Sequence, residues 1–454
     1  MLKVLTINTI LIFPTLKEFA PHGQKSVFNG LSAERRVEFV SFLNKSMRKI
    51  NPKDFTLATR GTSREINRQI ALTLIRTHQP ISRADLARLM ETNRANVTFL
   101  VNELLEENLV REGAQGNERV RGRKPTFLYI NAKNSYAVAV DIRASRSFVM
   151  VTDSIGKQIG DIISFPTEFD PEKLVKSLGE RVRKVLRDNT DTSECDGIGI
   201  VIPGMLDRKT GVVLNAPTLG WHDVNLLKPL RAEFGEIEVH LENSGKACAL
   251  SQVWATRADT AAPNDIVFVS VSDGLGVGVV INGELIRGRH NTAGEFGHVP
   301  LSIDGPQCSC GANGCWEAYV SNLATLSRYF GRNVTQRGPQ SIETAEFTIE
   351  DLITRARGGD SRALTALHST ARYLGLGLAS VINAVDPSRI YIGGEITEAW
   401  DLIEQHVRDG IRERTLTREL GVTPIGIVPA SEHPRLRGAV ALVTAPAFAA
   451  PKVA

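Results

Sequence analysis

Apolar positions return with two different periods along this chain, and the change between them divides it. From Ser63 onward Ile66, Ile70, Leu74 and Ile75 recur at helical spacing with charged residues between them, which predicts an amphipathic helix ending near His78-Gln79-Pro80. Ser82 with Asp85 three residues on predicts the capped start of a short helix, Arg83 to Met90. Asn93 predicts the cap of a third helix running to about Glu107, whose apolar face is Val97, Leu100, Val101, Leu104 and Leu105. Leu109-Val110-Arg111 and Thr126-Phe127-Leu128-Tyr129-Ile130 read as two strands joined by a polar loop containing Gly113, Gly116 and Gly122. Helix, helix, helix, hairpin is the order of a winged helix-turn-helix, assigned to residues 61–131.

After Asn131 the texture becomes α/β and occupies residues 132–454. Strand-like runs at Ala137–Ile142, Phe148–Asp153, Gly197–Ile202, Ile266–Ser272, Val277–Asn282 and Arg389–Gly393 are separated by helix-like stretches, notably Pro171–Asp188, Asn243–Ala255 and Ser361–Val385. The alternation predicts two βα lobes around a cleft. Residues 1–60 show no sustained period and read as an extension of unknown role, with Met47 a candidate later start.

At 454 residues the chain exceeds one ordinary core, so two or three domains are expected. Hydrophobic residues at 42% and charged residues at 23% fit a soluble globular protein, and no apolar run approaches the ~20 residues of a membrane span. Val4 to Phe13 follows Lys3 but is short, leads into Pro14, Lys17 and Glu18, and lacks a small-residue cleavage site, so a signal peptide is not expected. Of five cysteines, Cys195 and Cys248 stand alone while Cys308, Cys310 and Cys315 crowd together, which suits a metal site in a reducing, cytoplasmic compartment better than a disulfide framework.

The net charge of +4 does not announce a nucleic-acid partner; local placement does. A recognition helix offers its N-terminal residues to base edges, where Arg pairs with guanine and Asn with adenine. Arg94 and Asn96 are the candidate base readers, with Thr98 beside them. In the hairpin loop Arg119, Arg121, Arg123 and Lys124 crowd around Gly122, a basic wing able to reach phosphates or a minor groove. The helices alone leave open a solvated face in a protein-interaction scaffold; the wing favours operator DNA. Glu91 stands in the turn where such modules often have glycine.

Gly294-Glu295-Phe296-Gly297-His298, followed by Cys308-Ser309-Cys310-Gly311-Ala312-Asn313-Gly314-Cys315-Trp316-Glu317, is the most specific segment. His298, Cys308, Cys310 and Cys315 make a Cys₃His set, the donor complement of closed structural zinc; the alternative is unligated buried cysteines. The same segment resembles the signature of the ROK family of repressors, open reading frames and kinases, over about residues 63–445, and the winged helix resembles its repressor branch. The resemblance implies an actin-like (ribonuclease-H-like) two-lobed domain holding a sugar or sugar phosphate in its cleft, in a homodimer or homotetramer with no membrane partner. It places sugar contacts on Asn243, Glu295, His298 and Glu317, where the alternative is buried polar groups bracing the fold.

Sugar kinases of the family carry Asp directly after the Asn, as the base that accepts the hydroxyl proton. This chain has Ser244, too weak a base for that role, and Asp141-Ile142-Arg143-Ala144-Ser145 stands where the kinases resemble Asp-x-Gly-Gly-Thr. Side chains at those positions obstruct backbone approach to phosphate. Gly274-Leu275-Gly276-Val277-Gly278 and Gly393-Gly394 remain, as either nucleotide loops or tight turns. The expectation is a sugar-responsive transcriptional repressor without kinase activity; the alternative is a sugar kinase with an accessory DNA-binding module.

Overall fold

The computed structural model describes residues 60–113, 126–189, 194–256, 259, 262–331 and 347–448. The extension at 1–59, and with it Met47, lies outside them, as do wing residues Arg119, Arg121, Arg123 and Lys124. Residues 62–451 form one compact unit.

Its first part is α1 (Arg60–His78), β1 (Ile81–Ser82), α2 (Arg83–Leu89), α3 (Arg94–Glu106), β2 (Val110–Gly113) and β3 (Phe127–Ile130), the strands pairing antiparallel in the order β1-β3-β2. Both sequence-level caps form: the Ser82 hydroxyl accepts from the Asp85 N–H at 3.1 Å and the Asn93 side chain from the Asn96 N–H at 2.9 Å. Ala71, Ile75, Leu86, Val97, Val101, Leu104, Val110 and Leu128 pack as one core. The buried stripe of α1 is Ala71, Leu72 and Ile75, so it is rotated from the expected face and leaves Ile70 39% exposed. Glu91 adopts φ +49°, the left-handed conformation that favours glycine, and closes the turn between α2 and α3 with its N–H on the Arg88 carbonyl.

The remainder contains two five-stranded sheets built alike. In the first, β4 (Tyr136–Asp141), β5 (Arg146–Asp153) and β6 (Gln158–Pro166) run antiparallel; β7 (Cys195–Ile202) and β11 (Val239–Asn243) extend them in parallel, giving β11-β7-β4-β5-β6. Helix α4 (Pro171–Asn189) covers this sheet, and β8 (Met205–Asp207), β9 (Val212–Ala216) and β10 (Trp221–Asn225), followed by α5 (Leu227–Phe234), form a side branch. In the second sheet β12 (Ile266–Val271), β13 (Leu275–Ile281) and β14 (Glu284–Leu285) are antiparallel, and β15 (Arg389–Gly393) and β16 (Ile425–Val428) parallel. Two such lobes are the expected actin-like architecture.

Between the sheets lie α6 (Ser244–Thr256), packed on β12 and β13, and α12 (Pro434–Thr444), packed on β4 and β7. They also pack on each other, backbone to backbone: a Cβ on Gly438 would collide with the Ala247 carbonyl. The intervening elements α7 (Glu317–Val320), α8 (Asn322–Phe330), α9 (Ile349–Arg357), α10 (Ser361–Val385) and α11 (Trp400–Arg414) complete the second lobe, in which α10 buries Leu367, Leu374, Leu378 and Ile382. Among the described residues no helix is long and apolar enough to cross a membrane.

Candidate functional site

The C-terminal ends of β4, β7, β11 and β12 open onto one cavity, which also receives Glu295, His298 and Ser309 from the segment before α7, Glu317 from the start of α7 and Arg435 from α12. Strand ends are where parallel α/β sheets present loops to a ligand. Asn243, Glu295, His298 and Glu317, expected as sugar contacts, all line this cavity, with Ser244 beside them.

Asn243 works in two directions. Its amide donates to the Gly204 carbonyl at 2.5 Å, while its Oδ1 accepts from the Gly245 and Lys246 N–H groups at 2.8 and 3.3 Å, capping α6. Behind it Glu242, fully buried, pairs with Arg287 at 3.1 Å and accepts from Asn291 at 3.2 Å. The Glu317 carboxylate accepts from the Leu275 N–H and the Ser309 hydroxyl, both at 2.9 Å, so its orientation is fixed.

Glu295 has a partner that the sequence reading did not anticipate. Lys246, with a side chain only 1% exposed, places its ammonium 3.5 Å from Glu295 Oε1. Burial raises the Glu295 carboxyl above its ordinary range, and Lys246 works against that rise. A buried ammonium needs such a partner, since an unpaired one is costly. The available signal was a single charge set among Gly245, Ala247, Cys248 and Ala249.

At the opposite end, Asp141 is fully buried beneath two guanidiniums. Arg143 Nε donates to it at 2.7 Å, Arg435 stands 4.0 Å away, and Arg143 also faces Glu395 at 3.6 Å. Burial works against the Arg143 charge, but Asp141 and Glu395 outweigh it and raise its pKa. Asp273, on the same wall, is raised by its own burial and then by Glu395. Ion pairs of the protein itself therefore lie where the family's kinases carry Asp-x-Gly-Gly-Thr, the loop expected from the sequence to be obstructed by side chains.

Next to the cavity, one ligand atom each from His298, Cys308, Cys310 and Cys315 lies within 4.8 Å of the others. Cys310 Sγ and Cys315 Sγ are 3.7 Å apart, as are Cys308 Sγ and His298 Nδ1. Tetrahedral bonds of ~2.3 Å to sulfur would separate ligand atoms by roughly 3.8 Å, so the set fits a metal ion. Burial, then the nearby Glu317 carboxylate, pushes the Cys308 thiol up; burial and Cys310 do the same to Cys315. A bound cation is what favours thiolates there.

On α3 the residues Arg94, Ala95, Asn96, Thr98 and Phe99 are exposed, Phe99 by 56% with the Arg64 guanidinium 5.0 Å over its ring. Asn96 donates to Thr92 Oγ1 at 3.2 Å and Thr98 to the Arg94 carbonyl at 2.8 Å, so Arg94 is the freest of the candidate readers in reach. The other DNA-contact candidates, Arg121, Arg123 and Lys124, lie outside the described residues.

A winged-helix module joined to a duplicated α/β domain, with a His/Cys₃ group that could hold a metal ion beside its cleft, defines a narrow class of protein. A model of the ROK family matches residues 137–445. The chain is 31% identical over 354 residues to a xylose repressor of Bacillus spizizenii, covering 77% of this chain and 88% of that one. It is 26% identical over 386 residues to the N-acetylglucosamine repressor of Escherichia coli O157:H7, covering 84% and 92%. In structure it resembles a ROK family transcriptional regulator homologous to the E. coli MLC protein, with TM-score 0.69, 24% identity and coverage of 85% of this chain and 98% of that one, a likeness of fold. The chain belongs to the ROK family.

Proposed function

We propose that this protein is a cytoplasmic, sugar-responsive, DNA-binding transcriptional regulator, a repressor of carbohydrate-metabolism genes that has no kinase activity. The observation that carries the reading is the contrast within one cavity: polar groups suited to sugar hydroxyls at one end, and an ion-pair cluster in place of a phosphate loop at the other. Ser244 supplies no general base, and the described residues that flank it, Asn243 and Gly245, offer none either. Coverage of 88% and 92% of relatives named as repressors supports the same reading.

Arg94, Asn96 and Thr98 would read operator bases, and Arg121, Arg123 and Lys124 would reach its backbone or minor groove. Asn243, Glu295, His298 and Glu317 would hold the sugar. His298, Cys308, Cys310 and Cys315 would hold zinc, which would tie the Glu295–Glu317 loop together and fix the His298 ring. Two winged helices on a repeated operator imply a homodimer or homotetramer, to be read by light scattering.

The test is operator binding by fluorescence anisotropy on the chain's own upstream DNA, at several salt concentrations, with D-xylose, D-glucose, N-acetylglucosamine and their phosphates. Salt-steep, sequence-specific binding weakened by one of these compounds supports the reading. Sequence-independent or salt-insensitive binding would point instead to a scaffold.

A further inference from the structure

Helix α6 begins in the cavity and ends against the winged helix. At its start, Asn243 and Ser244 line the cavity, and Asn243 Oδ1 holds the first turn through the Gly245 and Lys246 N–H groups. Near its end, Trp254 packs with Ile155 against the winged-helix core. The Arg76 guanidinium, from the last turn of α1, lies 3.6 Å over the Trp254 ring. Along the helix, at ~1.5 Å rise per residue, Trp254 lies about 15 Å from Ser244.

The helix is seated so that it moves with its surroundings or not at all. A Cβ on Gly245 would stand 2.6 Å from the Val277 N atom and one on Gly278 2.5 Å from the Gly245 carbonyl oxygen, and on the other side Gly438 abuts Ala247. Such contacts lack a layer of flexible side chains, and close-packed interfaces shift between discrete arrangements rather than deform smoothly. The chain also crosses from β3 to β4 here, with Ser154 N–H on the Ala132 carbonyl at 3.2 Å, so the winged helix rests on the Ser154–Gly156 turn and on Trp254 together.

We propose that Trp254 and Arg76 are the positioning residues of the sugar response: a ligand engaging Asn243 displaces α6, and the Trp254–Arg76 stack carries that displacement into α1 and thus into the orientation of the recognition helix. The proposal rests on reading the cavity as the sugar site and the winged helix as the DNA reader. It requires only that the ligand prefer one placement of α6, since a ligand indifferent to the two states shifts nothing. Neither residue lines the cavity or belongs to α3, so their loss should spare both binding events and remove the link between them.

Full-length wild type, Trp254→Ala, Trp254→Phe and Arg76→Gln would be compared, with circular dichroism confirming that each folds. Calorimetry with whichever of D-xylose, D-glucose or N-acetylglucosamine changes wild-type operator affinity gives ligand binding; anisotropy gives operator binding with and without it. A wild-type response of roughly 5–150-fold is typical of such coupling. Trp254→Ala and Arg76→Gln should bind the sugar and free operator within about threefold of wild type, yet respond by less than about twofold, while Trp254→Phe keeps most of the response. An undiminished response in both Trp254→Ala and Arg76→Gln overturns the proposal alone. Should Trp254→Ala fail to fold, Arg76→Gln decides. A wild type that binds operator but answers to no sugar overturns the functional reading and this proposal with it.

Discussion

At one end of the cavity the carboxylates of Glu295 and Glu317 line the open space, Glu295 paired with Lys246 and Glu317 accepting from the Leu275 N–H and the Ser309 hydroxyl. At the other end Asp141 and Glu395 are turned onto Arg143 and Arg435, and the charges neutralise one another inside the protein. Both ends are rich in charge; at the second most of it is taken up by the protein's own ion pairs, although Asp141 Oδ1 is left without a hydrogen bond and Asp273 also lines the cavity. On the proposed reading such a cleft would serve as a sugar receptor, and the N-terminal helical module would give that receptor something to control.

The largest expected effect comes from taking apart the proposed metal loop at His298, Cys308, Cys310 and Cys315. Chelation of the purified protein, or Cys308→Ser, should lower sugar affinity by ~10–100-fold, because His298 and Glu317 lose their common anchor. Metal analysis with calorimetry on the same sample checks this, and undiminished affinity after metal loss would mean the loop is held by packing alone. Operator binding in the absence of sugar should survive.

Arg143→Ala probes the closed end. It leaves Asp141 buried with only Arg435 at 4.0 Å, and should cost about 2–3 kcal/mol of stability, less than the ~3–5 of a pair losing its sole partner. Sugar affinity should stay unchanged; a marked fall would show that the two ends are one site. Denaturant titration and calorimetry separate the outcomes.

Lys246→Met sharpens the contrast at the open end. Removing the ammonium lets burial raise the Glu295 carboxyl further, so its acceptor charge is lost at a higher pH than in wild type. Sugar affinity should therefore be lost at a higher pH in the variant than in wild type and recover as pH rises further, whereas wild type should weaken only as pH falls through the already raised Glu295 range. A pH-independent loss would mean that Lys246 acts by packing.

The smallest effect should come from Ser244→Asp. Restoring a carboxylate beside Asn243 gives a base but leaves Arg143 across the phosphate end, so ATP-dependent phosphorylation of sugar should remain undetectable. Turnover by this variant would show that the ion-pair cluster opens readily.

Much of this contrast was legible from the chain. The caps at Ser82 and Asn93 are local, and Cys308-x-Cys310 with Cys315 is a donor set in a single short segment. Arg389–Gly393 reads as a strand because it is apolar and buried on both faces, whereas β6 was missed because exposed polar residues interrupt it, as Asp161 does. The roles of Lys246 and Arg435 depend on partners 49 and 294 residues away, Glu295 and Asp141, and no local pattern reports such a pairing. Trp254 against Arg76 is hidden for the same reason.

The most direct test of the central claim is to follow operator release and ATP consumption together in one preparation, with the sugar that elicits the response. The account predicts sugar-dependent release with no sugar phosphate formed, with or without ATP. Phosphorylated sugar accumulating at catalytic turnover, or an operator complex indifferent to every sugar that the cavity binds, would contradict it.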